Sequence, residues 1–247
     1  MTQFDIFSDN RNYYSRTETG NENTEETKLV KKCKIFENEW IVFRNDIVEI
    51  PGVAEHKPFL RLMTPSKPGK PDDGTVVVAI WPSSDLIAVV KQYRYPAAVW
   101  EVALPRGFAN LGDEDKFLTG FREFGEEVGG RLNPGRRWSL GRLLTDSGKL
   151  YDAPHLIMAE LAVPASAAMP PNPDDTEVIA ASKFGNWIPF HMLQAWVETG
   201  RIVDSFTCAA IARLRPHFNK YGKFDPDFDI LNSYHLKESD RLFNKVD

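Results

Sequence analysis

Cysteine is scarce. Cys33 and Cys208 are the only two in 247 residues, too few for the disulfide framework of a small secreted scaffold. One bridge between them is arithmetically possible, and two reduced thiols are the simpler expectation. No run approaches the length of about 20 apolar residues that a membrane helix needs. The opening stretch, MTQFDIFSDNRNYY, has neither the basic patch nor the apolar run of a secretion signal. A soluble, cytoplasmic protein with no membrane partner is expected. Basic charge is also in deficit, with 30 Lys and Arg against 35 Asp and Glu, a net −5. That argues against a nucleic-acid partner, which calls for excess Lys and Arg, and leaves a nucleotide-sized ligand open.

Several chemistries lack their signatures. The five histidines (His56, His155, His191, His217 and His235) have no zinc-like spacing with either cysteine. SGKL is too short to be a phosphate loop, and there is no serine-nucleophile motif. Gly129-Gly130 follows a helical pattern and reads as its stop rather than as a dinucleotide fingerprint.

What is present is a succession of strands around one internal helix. Residues 1 to about 30 are polar and read as a flexible arm. From Lys34 to Met63, apolar and polar residues alternate (KIFENEWIVFRNDIVEI, then HKPFLRLM), as antiparallel strands do. TVVVAIWP and LIAVVKQYRY flank a turn at Ser83, Ser84 and Asp85 and predict a hairpin at the centre of a sheet. WEVAL is a short strand, and PRGFANLGDED a loop. From Lys116 to Val128 the spacing predicts a helix, with Phe117, Leu118, Phe121, Phe124 and Val128 along one face. WSLGRLL, HLIMAELAV and TEVIAASKFGNWI read as further strands. Pro189 suits the first turn of a helix ending at Gly200, and Asp204 with Ser205 can cap a last helix through Arg213. The class is mixed α/β. Most tryptophans read as core, though Trp100 or Trp187 could stack on a base.

The stretch from Gly107 to Gly130 carries the chemistry: GFANLGDEDKFLTGFREFGEEVGG. Glu123, Glu126 and Glu127 lie three and four apart and project from one side of the helix, where like charges repel. A hard divalent cation removes that repulsion; Mg²⁺ takes oxygen ligands, keeps several waters and bridges to phosphates. Arg122 can pair with Glu126 one turn on.

This stretch resembles the Nudix box, GX5EX7REUXEEXGU. Glu114, seven residues, then Arg122, Glu123, Phe124, Gly125, Glu126, Glu127, Val128 and Gly129 follow it closely. Gly107 stands one residue too far ahead of Glu114; alternatively Asp113 fills the acidic position and the gap to Arg122 is one too long. Gly130 occupies the final bulky position. Beyond the box, VVKQYRY, WEVALPRG, DSGKLYDAPHLIMAELA and the segment from DDTEVIAASKFG to the last helix are similar to the ADP-ribose pyrophosphatase branch, over roughly residues 40 to 215. PRG stands there in place of PAG.

The resemblance implies an α/β/α sandwich with a mixed sheet and an N-terminal antiparallel β extension. It divides the chain into an arm (1–30), the extension (31–66), the hydrolase domain (67–220) and a C-terminal tail (221–247). It implies Mg²⁺ or Mn²⁺ held by Glu123 and Glu127, by the main-chain carbonyl of Arg106, and by Glu126, which is alternatively the partner of Arg122. Arg94, and after it Arg106, would hold the phosphates. Glu177 is the leading general base, with Asp174 and Asp175 beside it; Glu101 is an outer-shell or subunit-contact group. The implied reaction is hydrolysis of a nucleoside diphosphate linked to another group, ADP-ribose first. A nucleotide-sugar or dinucleotide substrate, or a non-catalytic module sensing such a ligand, are the rivals. A homodimer built on the N-terminal strands is expected.

Overall fold

The structure is a computed structural model that describes residues 27–64, 74–144, 146–150, 153–167, 169–173, 178–179 and 186–218. Its first four strands, β1 (Lys28–Lys31), β2 (Lys34–Glu37), β3 (Val42–Glu49) and β4 (Lys57–Met63), form an antiparallel sheet in which β3 pairs with the other three. A second sheet follows: β5 (Thr75–Ile80), β6 (Leu86–Arg94), β7 (Val99–Ala103), β8 (Arg106–Gly107), β9 (Arg131–Arg142), β10 (His155–Val163), β11 (Val178–Ile179) and β12 (Asn186–Pro189). The helices are α1 (Lys116–Glu127), α2 (Phe190–Glu198) and α3 (Ser205–Leu214).

The second sheet is mixed. β10 runs parallel to β5 and antiparallel to β9, and β6 lies antiparallel to β5, β7, β11 and β12. β5 is buried along its whole length, because both faces are covered and alternate residues serve different cores. Val76, Val78 and Ile80 pack with Leu193, Ile211 and Leu214 of α2 and α3. Val77 and Ala79 pack with Phe124 and Val128 on the α1 side. The α/β/α layering follows, and each fully buried Val, Leu or Ile contributes about 1.5–3 kcal/mol. No helix among the described residues is long and apolar enough to cross a membrane.

Asp115 starts α1 by accepting from the N–H groups of Phe117 and Leu118 at 2.7 and 2.9 Å, and Asp204 starts α3 in the same way. Of the face expected for α1, Phe117, Phe121, Phe124 and Val128 pack on the sheet, and Leu118 does not. Gly120 lies against the sheet so closely that a Cβ there would sit 2.6 Å from Ile157 Cδ1. Centring the helix on Gly120 and Phe124 leaves Leu118 40% exposed and brings Glu123 and Glu127 under cover. Helix periodicity weighs hydrophobic residues and is blind to a glycine at the point of closest approach. β9 also begins seven residues before WSLGRLL, through Pro134 and Gly135. It is tolerant of both because it is the last strand in the sheet order.

His155 opens β10 beside Arg142 and Lys116. Burial first, then those two cations, lower its pKa to about 4. The fold thus favours the neutral ring, and between the ordinary histidine range and about pH 4 the unfolded chain binds the extra proton. Stability is expected to fall as pH drops through that window. Thermal midpoints measured from pH 7 to 4 should decline less steeply in His155→Gln; an identical decline would count against this assignment.

Candidate functional site

The site lies where two residues of β8 meet the second half of α1. β8 pairs with β5 at only two positions, Thr75 with Gly107 and Val76 with Arg106. Its backbone comes against the helix without a side chain between them: a Cβ on Gly107 would lie 2.2 Å from all three atoms of the Glu123 carboxylate. Arg106 donates its main-chain N–H to Glu127 Oε2 at 3.0 Å. Glu123 and Glu127, one turn apart, are 6% and 3% exposed. Carboxylates are rarely buried to that degree without partners.

Arg122 binds its neighbours tightly. Its guanidinium lies 2.7 Å from Glu123 Oε1 and 2.7 Å from Glu126 Oε2, 3.3 Å from Asp113 Oδ2, and donates to the Phe108 carbonyl at 2.7 Å. Burial lowers its proton affinity, but Glu123, Glu126 and Asp113 outweigh that and raise it. The loop before the helix is closed by Asp113, whose Oδ2 also accepts the Asn110 N–H at 2.8 Å. Of the two acidic residues that could fill the box position, Asp113 is thus brought to Arg122, while Glu114 is exposed. The extra residue is taken up in a turn that includes Gly112 at φ +100°.

Three carboxylates, those of Asp113, Glu123 and Glu126, surround the single charge of Arg122, and a fourth, Glu127, lies one turn from Glu123. An all-oxygen donor set with excess negative charge fits a hard divalent cation in kind. Among the described residues no three such groups already converge on one point: Glu123 and Glu126 turn to Arg122, and Glu127 turns to Arg106.

Arg94 and Arg106 meet on one carboxylate. Arg94 Nε donates to Glu101 Oε1 at 2.7 Å, and Arg106 Nη2 lies 3.2 Å from the same oxygen. Arg106 Nη1 continues the chain to Asp204 Oδ1, and its Cζ stands 4.7 Å over the Phe206 ring. Asp204 Oδ2 accepts from Thr207 N–H and Oγ1 at 2.9 and 2.6 Å, and Thr207 Oγ1 accepts the Leu104 N–H at 3.0 Å. Burial would raise the Asp204 carboxyl; Arg106 and Thr207 outweigh it and hold the group below its ordinary range.

Sequence reasoning placed Asp204 only as a helix cap and missed its second partner. The available signal was Arg106 itself: an arginine between Pro105 and Gly107, at the lip of a buried strand, requires a counter-charge nearby. Glu177, Asp174 and Asp175 lie outside the described residues. Trp187 packs edge-on to Trp81 at 5.2 Å and against Phe124 at 6.4 Å. Trp100 is exposed and tilted on Tyr93. The two thiols are free.

No family model matches the chain, and no curated protein matches it in sequence. Among solved structures the fold is similar to the crystal structure of an ADP compounds hydrolase, with a TM-score of 0.62 and 14% identity, over 79% of this chain and 95% of that one. At that identity the likeness is one of fold.

Proposed function

We propose that the chain is a metal-dependent hydrolase of the Nudix type, cleaving the diphosphate of a nucleoside diphosphate linked to a second group, with ADP-ribose the leading substrate. The observation that carries this reading is the pair of buried carboxylates, Glu123 and Glu127, set against a β8 backbone from which a side chain is excluded. The fold shared with an ADP compounds hydrolase supports the substrate class.

Water attacks one phosphorus and forms a new P–O bond. The bond from that phosphorus to the bridging oxygen breaks, and the second phosphate leaves with it, so ADP-ribose gives AMP and ribose 5-phosphate. Mg²⁺ or Mn²⁺, when bound, lowers the pKa of the water and neutralises phosphate oxygens. Glu123 and Glu127, with the Arg106 carbonyl, would hold it, and Glu126 would either join them or keep its hold on Arg122. The Arg106 N–H fixes the rotation of the Glu127 carboxylate. Arg94, tied to Glu101 through Nε alone, keeps donors for a phosphate. The water's proton goes to a carboxylate base, for which Glu177 is proposed.

The test is phosphate-ester release from a panel of ADP-ribose, nucleotide sugars, NADH, diadenosine polyphosphates and nucleoside triphosphates, with Mg²⁺ or Mn²⁺, beside the Glu127→Gln variant. Metal-dependent cleavage led by ADP-ribose and lost in the variant is expected. Cleavage led by another member would shift the substrate; tight binding of one without turnover would make the chain a sensor. The same reading includes a cytoplasmic homodimer. Support for the dimer comes from the apolar side chains that the first sheet leaves exposed, among them Ile35, Phe36, Trp40, Phe59 and Leu60; a monomeric mass at micromolar concentration would overturn it.

A further inference from the structure

We infer that Arg106 is a positioning residue: its side chain clamps the segment Leu104–Arg106 to the first turn of α3 and so sets the orientation of Glu127. The inference rests on the proposed reading of Glu127 as a metal ligand, and it adds a residue and a helix outside the carboxylate set.

The segment is fastened at both ends. Leu104 donates its N–H to Thr207 Oγ1 at 3.0 Å. Arg106 reaches Asp204 through Nη1, and both Asp204 and Thr207 belong to the capped start of α3. Asp204 closes the loop, since one oxygen takes Arg106 and the other takes Thr207 N–H and Oγ1. The fastened piece is short: beyond the buried Leu104 it is held to β5 by two ladder positions and by the Pro105 carbonyl, which accepts the Val77 N–H at 2.9 Å. From it, Arg106 N–H reaches Glu127 at 3.0 Å, and the next residue, Gly107, abuts Glu123. A rotation of this segment therefore moves the donor to one carboxylate and the wall against the other. The Arg106 guanidinium is mostly buried, its side chain 17% exposed, and packs over Phe206. It is committed to this clamp: a buried guanidinium is retained only where carboxylates compensate it, and Glu101 and Asp204 do.

Groups that hydrogen-bond a ligating side chain set its geometry, and their loss typically weakens metal binding about 10–100-fold. The experiment is a direct Mn²⁺ titration of the full chain, followed by the signal of free Mn²⁺, with substrate absent. Arg106→Met keeps the stem and removes both ion pairs; its Mn²⁺ dissociation constant is expected to rise about tenfold or more. Arg106→Lys, which can still reach one carboxylate, should recover most of the loss. Ile211→Val, which loosens α3 packing away from the clamp, should leave Mn²⁺ affinity unchanged, so that general destabilisation is told apart from positioning. If Arg106→Met does not fold, Asp204→Asn carries the test, with the expected loss in the same direction and smaller. Glu127→Gln separates the two claims. Parental Mn²⁺ affinity in Arg106→Met, with affinity lost in Glu127→Gln, would overturn the clamp and leave the metal site standing. Parental affinity in both would remove the metal site and the clamp with it.

Discussion

Alanine at position 107 is expected to leave a folded protein that has lost the proposed hydrolase activity. The Cβ it adds would sit 2.2 Å from each atom of the Glu123 carboxylate, a contact no side chain tolerates, so one partner moves. The partner is the far end of a flexible side chain, which swings away at little cost. Gly107 has no left-handed backbone angle that alanine would strain, and alanine loses less chain entropy on folding than glycine. Stability should stay within about 1 kcal/mol of the parent. Activity should not: with the carboxylate displaced, kcat for the proposed hydrolysis of ADP-ribose is expected to fall about 10²–10³-fold, the size of the loss when one preorganised charged or polar group is removed from a transition state. The decisive comparison is a double-mutant cycle with Glu123→Gln. If Gly107→Ala acts by evicting that carboxylate, adding it to Glu123→Gln should cost almost nothing more. Losses that multiply would mean that Gly107 acts through something else.

Gly130→Ala is expected to do the opposite, costing the fold rather than the chemistry. Gly130 has φ +83°, and a Cβ there would lie 2.3 Å from the Val163 carbonyl oxygen and 2.8 Å from both Ala165 N and Pro164 C. All three are backbone atoms at the end of β10 and just past it, and none can rotate away. The left-handed conformation alone costs an L-residue about 1 kcal/mol. With the collision the loss should reach about 3–5 kcal/mol, in the exceptional range for one substitution, and lower the thermal midpoint by roughly 10 °C. Gly200→Ala isolates the first term, since Gly200 has φ +71° and nothing within 4 Å of its Cβ position. Denaturant unfolding of the three proteins would test the decomposition; equal losses at 130 and 200 would refute the steric part.

Gly130 also shows how far the sequence could be read. Against the box pattern it stood out as a missing bulky residue. In the structure that residue would strike β10, which approaches the end of α1 more closely than any local pattern discloses. The layered α/β architecture was legible because β5 carries the apolar run VVVAI, β10 the run LIMA, and α1 has a clear period. Glu123, Glu126, Glu127 and Arg122 were legible because they share one helix, where spacing is geometry. The Glu101–Arg106–Asp204 chain was not, because its last member is 98 residues from Arg106 and pairing at that distance leaves no mark on spacing. The choice between Asp113 and Glu114 was equally out of reach: it depends on a loop turn through Gly112 and not on a count of residues.

The parallel register of β5 with β10 joins Thr75 to His155, eighty positions apart (155 − 75). A pairing of that span forms late, because the chain between must be closed into a loop before any contact rewards it. α1 lies inside that loop and can coil early from its own local contacts, with its glutamates open to water. The packing of α1 on the sheet is complete only with β10, whose Ile157 meets the helix at Gly120. On the ribosome, then, the carboxylate helix leaves the exit tunnel before the strand that completes its seat, and the centre of the sheet closes only once residues beyond 155 have emerged.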